Sequence, residues 1–222
     1  QVAWLSLALY LDADADAARF LLARAMGNDA PDSSIDQHLA RIQANSVWNQ
    51  PKLLIQLDRR RRDDLTGAIA QLEEVLITDH GNGFLFKELA DLYRFNDQFA
   101  KARDAYLTAL DLGYKAKDID RNLAISYERL DQDDLAEQHF LIALDINPND
   151  PYTLNYLGYW WADEGRNLDQ AIQLIERAVR LQPDSGFFAD SLGWVHFKLG
   201  NVDLAVAFLE KATLLEPADP VI

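Results

Sequence analysis

Residues 151–185 read PYTLNYLGYWWADEGRNLDQAIQLIERAVRLQPDS, and residues 186–219 read GFFADSLGWVHFKLGNVDLAVAFLEKATLLEPAD. Laid one above the other, the two stretches agree on where small residues, large apolar residues and proline fall. Leu157-Gly158 matches Leu192-Gly193, Ala171 matches Ala205, Ile175 matches Leu209, Ala178 matches Ala212, and Pro183 matches Pro217. Apolar residues recur within each stretch at three- and four-residue steps, the spacing of one face of an α-helix. A polar break, Gly165-Arg166-Asn167 in one and Leu199-Gly200-Asn201 in the other, divides each stretch into two helices.

The same pattern continues upstream. Ala68, Ala102, Ala136, Ala171 and Ala205 stand at intervals of 34, 34, 35 and 34 residues. Seven residues beyond each lies a second column: Val75, Ala109, Ala143, Ala178 and Ala212. Between the two runs a large apolar column of Leu72, Tyr106, Phe140, Ile175 and Leu209. A further set, Ile55, Leu89, Leu123, Leu157 and Leu192, is followed by a small residue at Ala90, Ala124, Gly158 and Gly193. Columns that stay in phase this long mark a repeat architecture, in which each unit buries its apolar face against its neighbours. The small columns let paired helices approach, and the large column fills the space between units. Pro148, Pro183 and Pro217 end one helix and restart the chain. Asp and Asn in the polar breaks at 96–98, 131–134 and 199–201 are expected to cap the second helix of their unit.

With this period and this small–aromatic–small–Pro pattern, the chain resembles the tetratricopeptide repeat family. The resemblance covers roughly residues 49–219 and is strongest from Pro151 onward. It implies an all-α fold, a right-handed α-solenoid of stacked antiparallel helix pairs. Five units are expected, at 49–82, 83–116, 117–150, 151–185 and 186–219, the fourth carrying one extra residue in its turn at 165–167. Residues 1–48 read as degenerate leading repeats. There, 2–11 is the second helix of a leading unit, 16–26 and 35–42 are a weakened pair, and 27–32 is a loop between them. Residues 220–222 read as the truncated start of a further segment. With Gln1 at its head rather than Met, the sequence reads as a piece of a longer protein.

Composition removes several classes of function. Among 222 residues, 21 Lys plus Arg face 36 Asp plus Glu, a formal charge of −15 that repels phosphate backbones and anionic lipid. No nucleic acid partner is expected. The absence of cysteine rules out disulfides, thiol nucleophiles and thiolate metal sites. His38, His80, His139 and His196 are scattered without a metal-ligand spacing. Arg59-Arg60-Arg61-Arg62 runs straight into Asp63-Asp64 and reads as a partly neutralised helix end. Gly81-Asn82-Gly83 lacks the neighbouring Lys-Ser/Thr of a phosphate-cradling loop, and Ser33-Ser34 and Ser191 lack an identifiable base. No apolar run approaches the ~20 residues of a membrane span, and residues 2–11 make a poor signal peptide. The expectation is a protein that is not an enzyme and takes no cofactor or metal.

The family resemblance implies that the first helix of each unit lines a concave surface where a partner protein or peptide lies. Projected onto this sequence, the partner-binding candidates are Phe84, Lys87, Asp91 and Arg94, then Arg121, Asn122, Ile125 and Arg129. Further along come Asn155, Tyr156 and Tyr159, and finally Asp190 and Trp194, with Tyr152 and Phe187 beside them. Lys87, Arg94, Arg121 and Arg129 gather on one strip, and the aromatic stretch beyond it offers residue types that dominate binding hot spots. Trp161 is expected to pack between helices, whereas for Tyr159 and Trp194 surface and core remain open. Some family members grip a terminal carboxylate with a fixed Lys, Asn and Arg set. Lys87 and Asn122 match two of those places, but Asp91 would repel the carboxylate and Tyr152 and Tyr156 replace the bases, so such a clamp is not expected.

The segments 154–159 with Ala162-Asp163, and 190–195, are also similar to proteobacterial envelope repeat proteins. Some of those are outer-membrane lipoproteins that serve as adaptors for periplasmic enzymes, processing proteases included. This implies a bacterial scaffold or adaptor, with the cell envelope favoured over the cytoplasm as its place. Two alternatives stand beside it: self-association through open solenoid ends, and a repeat domain attached to a catalytic domain elsewhere.

Overall fold

A computed structural model describes residues 16–26, 32–42 and 49–216. These form twelve α-helices and no strand. The chain divides into two compact units, one up to His80 and one from Gly81. The expected helix over residues 2–11 and the segment 217–222 lie outside the described residues.

The first unit contains α1 (Asp16–Met26), α2 (Asp32–Ala40), α3 (Asn49–Asp63) and α4 (Leu65–Thr78). Phe20 and Ala23 of α1 pack on Ile35 and Leu39 of α2 and on Ile42, and Ile55 of α3 closes the cluster. Small and branched residues thus give the weakened leading repeat a core of its own. On α3, Arg61 and Arg62 bind Asp58 at 2.8 and 3.0 Å, and Arg60 binds Asp64 at 3.2 Å. Three members of the basic run are therefore matched with carboxylates on a solvated helix end. Asp64 also caps α4, accepting from the Gly67 amide at 2.8 Å.

The second unit is four helical hairpins: α5 (Gly83–Phe95) with α6 (Phe99–Asp111), α7 (Ile119–Glu128) with α8 (Asp133–Ile146), α9 (Pro151–Asp163) with α10 (Leu168–Leu181), and α11 (Gly186–Lys198) with α12 (Val202–Leu215). The periodic columns of the sequence form its core. Ala102, Ala136, Ala171, Ala109, Ala143 and Ala178 are buried, as are Tyr106, Phe140 and Ile175 between them. Gly193 shows why that column stays small: a Cβ there would lie 2.8 Å from Leu209 Cγ on the paired helix. Successive hairpins are joined by seams such as Leu154, Ala178 and Phe188, flanked by Leu144, Leu174 and Val179. Polar ties repeat with the same period. Arg177 donates to the Pro148 carbonyl at 2.8 Å, and Lys211 donates to the Pro183 carbonyl at 3.2 Å, each reaching back to the close of the preceding hairpin.

Within each hairpin the turn has one construction. Asp97, Asp131, Gly165 and Gly200 all have left-handed backbones, with φ of 54, 56, 68 and 80°. The amide of the following residue returns to the last helical turn: Gln98 to Tyr93, Gln132 to Tyr127, Arg166 to Trp161, and Asn201 to His196. This closes the Schellman motif, satisfying carbonyls that the helix end leaves free. The α9–α10 turn holds one residue more, and the chain absorbs it with a second left-handed residue, Asn167 at φ 52°.

The helix caps differ from the sequence expectation. In the second unit side-chain caps sit on three of the four first helices: Asn82 on α5, Asp150 on α9 and Ser185 on α11. The second helices α6, α8, α10 and α12 have no side-chain cap bond. In the turns, Asp97 and Asp131 are used for their tolerance of positive φ, so Gln98 and Gln132 occupy the cap positions without bonding there.

Candidate functional site

The first helices α5, α7, α9 and α11 carry the candidate residues at matching repeat positions. One position holds Phe84, Asp118, Tyr152 and Phe187, and the next holds Lys87, Arg121, Asn155 and Asp190. A turn later come Asp91, Ile125, Tyr159 and Trp194, and beyond them Phe95, Arg129, Asp163 and Lys198. Aromatic residues hold the first and third of these positions on both α9 and α11, whereas the second position is basic on α5 and α7.

The basic strip separates into two kinds of residue. Lys87 is surrounded by the chain's own acids, with Asp91 at 2.8 Å, Asp118 at 3.3 Å and Glu88 at 3.5 Å. Burial opposes its charge, but Asp91, Asp118 and Glu88 outweigh it and hold the Lys87 pKa well above the ordinary lysine value. Asp91 is the hub of this cluster, since it also accepts from the Tyr106 hydroxyl and from Asn122 Nδ2, the latter at 3.1 Å. Burial and the Asp91 carboxylate drive the Tyr106 phenol far up in pKa, so it remains a donor. Arg121 is likewise committed, bonding Asp150 at 2.7 Å while the same carboxylate caps α9 through the Thr153 amide.

Arg94 and Arg129 behave differently. The Arg94 guanidinium lies 4.6 Å from the Phe95 ring centroid, and its Nε is buried without a hydrogen-bond acceptor. Arg129 is exposed and lies 4.7 Å from the Phe99 ring centroid. Next to Arg129 in sequence, Glu128 accepts from the Tyr156 hydroxyl at 3.5 Å. Burial and the Glu128 charge push the Tyr156 phenol up to about 12 against the opposing pull of Arg129 and Arg94. Burial also raises the Glu128 carboxyl, with Arg129 working against the rise.

Among the aromatics, helical geometry sorts neighbours onto different faces. Trp160 and Trp161 are buried, with Arg166 lying 4.3 Å above Trp160, while Tyr159 is exposed. Trp194 is half-buried, stacking on Phe197 at 5.5 Å under the Lys198 ammonium at 4.9 Å. Tyr152, Phe187 and Phe197 are about half-exposed, at 52, 48 and 55%. Phe84 is half-buried and meets Tyr114 edge-on at 5.7 Å, and Asp190 is half-buried. Burial, then Asp163 and Asp190, raise the Tyr159 phenol.

Three expected face residues lie inside. Ile125 is packed away, Asn122 is taken up by Asp91, and Asn155 donates to Ser191 Oγ at 3.0 Å, tying α9 to α11. Two residues that the sequence reading passed over belong to the accessible region. Glu128 and Phe197 share the repeat position of Arg94, and that in-phase column is the signal that finds them. Among the described residues no group of His, Asp or Glu could hold a metal ion, and no helix is long and apolar enough to cross a membrane.

The profile of the tetratricopeptide repeat family matches residues 87–151 and 162–220. A TPR repeat-containing protein of Pseudomonas aeruginosa is 33% identical over 123 residues, which are 53% of this chain and 20% of that protein. The BBSome complex member BBS4 of Bos taurus is 30% identical over 118 residues, covering 53% of this chain and 22% of its own length. The chain thus spans about a fifth of the length of the curated relatives it matches. Among solved structures, YrrB, described as a TPR protein with an unusual peptide-binding site, superposes with TM-score 0.55 at 19% identity, covering 98% of this chain and 95% of its own. Cut9–Hcn1 of the APC/C hetero-tetramer gives TM-score 0.73 at 17% identity over 98% of this chain and 43% of that one. MamA of Desulfovibrio magneticus gives 0.63 at 17% over 76 and 95%. At these identities the structural likeness concerns the fold. The sequence period, the stacked helical hairpins and the family profile converge: the chain belongs to the tetratricopeptide repeat family.

Proposed function

We propose that this chain is a non-catalytic scaffold that binds a partner polypeptide across the first helices of its second unit. Tetratricopeptide repeats serve protein–protein interaction, and stacked repeats of this kind offer extended concave binding surfaces. The observation that carries the reading is the clustering of Tyr152, Tyr159, Phe187 and Trp194 at matching positions on α9 and α11. Large aromatics left partly accessible on adjacent helices are anchors for a partner, because each buries much area at little cost in side-chain entropy.

The test is affinity capture on wild type and on the Tyr159→Ala and Trp194→Ala variants, with helicity checked by circular dichroism. A partner held by wild type and lost by helical variants supports the reading. Equal capture by all three places binding elsewhere and ends it.

A second reading is self-association. The last helix, α12, exposes Val202, Leu204, Val206 and Leu214, where the equivalent places on α6 are Phe99, Lys101, Arg103 and Asp111. Sedimentation across a concentration series tests it. A species that grows with concentration and dissolves on Leu204→Lys and Val206→Lys favours this reading, and a strict monomer removes it.

A further inference from the structure

We draw no further inference here: the strongest candidate, the apolar face that α12 leaves exposed through Val202, Leu204, Val206 and Leu214, belongs to the self-association reading given above, and nothing in the structure shows what covers it.

Discussion

Gly158 on α9 sits so close to Ile175 on α10 that a Cβ at Gly158 would lie 2.7 Å from Ile175 Cγ1 and 2.8 Å from the Ala171 carbonyl oxygen. In an exposed helix, Gly→Ala gains about 1 kcal/mol of propensity. Here contact outweighs that gain, and Gly158→Ala is expected to destabilise by about 1–3 kcal/mol through overpacking. Combining it with Ile175→Ala should cost less than the sum of the two, because one change makes room for the other. Recovery stays partial, since the Ala171 carbonyl cannot retreat. Urea denaturation of the single and double variants measures both terms, and an unchanged or raised midpoint for Gly158→Ala would remove the close-approach argument.

The alanine columns are the same constraint seen from the second helices. Ala102→Leu and Ala136→Leu, both at fully buried positions, are expected to lose roughly 1–3 kcal/mol. Lys101→Leu should change little: Lys101 is exposed, and its ammonium lies 5.1 Å from the Tyr93 ring centroid. Equal tolerance at all three positions in thermal unfolding would show the repeat frame to be misplaced.

Asp91 joins two hairpins through Lys87, Tyr106 and Asn122. Asp91→Ala takes from the Lys87 ammonium its nearest carboxylate, leaving Asp118 at 3.3 Å and Glu88 at 3.5 Å, and leaves the Tyr106 hydroxyl without that acceptor; it is expected to cost about 2 kcal/mol. Tyr106→Phe deletes one donor and leaves the acid its other partners, costing about 1 kcal/mol. If chemical denaturation found the two equal, the ion pair would contribute nothing beyond a neutral hydrogen bond.

Glu128 supplies a pH test. Burial raises its carboxyl pKa above the model-peptide value of 4.5, so the folded chain binds this proton more tightly than the unfolded chain does. By linkage, its favourable contribution is present below the unfolded value and is lost as pH rises through the raised folded value. At neutral pH the ionised group therefore weighs against the fold. Glu128→Gln should raise Tm by about 1–2 °C at pH 7, with the gain shrinking as pH falls through the raised folded value and gone below the unfolded value of 4.5. A gain that grows on acidification would contradict the burial assignment.

Much of the fold is legible in the sequence because repeats impose one packing solution many times over. Ala102, Ala136 and Ala171 are recognisable as core without any structure, since one contact geometry recurs at one period. The extra residue in the fourth expected unit could also be placed, because the columns on either side of it stay in phase. The face residues were harder to read. Arg121 looks free in sequence, but its partner Asp150 lies about thirty residues away and only stacking brings them together; Lys87 has Asp91 one turn along its own helix, and stacking adds Asp118. Tyr159, Trp160 and Trp161 are consecutive aromatics, and small rotations of α9 decide which of them meets solvent. The caps were misread for a local reason, because Asp97 and Asp131 serve equally well as cap residues or as left-handed turn residues.

The left-handed residue that ends each first helix has a wider consequence. Its amide bonds fix how the chain leaves α5, α7, α9 and α11, whatever residues those helices present outward. At Asn167 the turn takes in one more residue, yet Ala171 and Ile175 keep their buried places. Length can thus vary at the hairpin tip while the stacked helices hold their alignment. Such a chain is free to lengthen its tips and to change its exposed side chains as separate events, so a new binding preference can arise without first disturbing the scaffold that displays it.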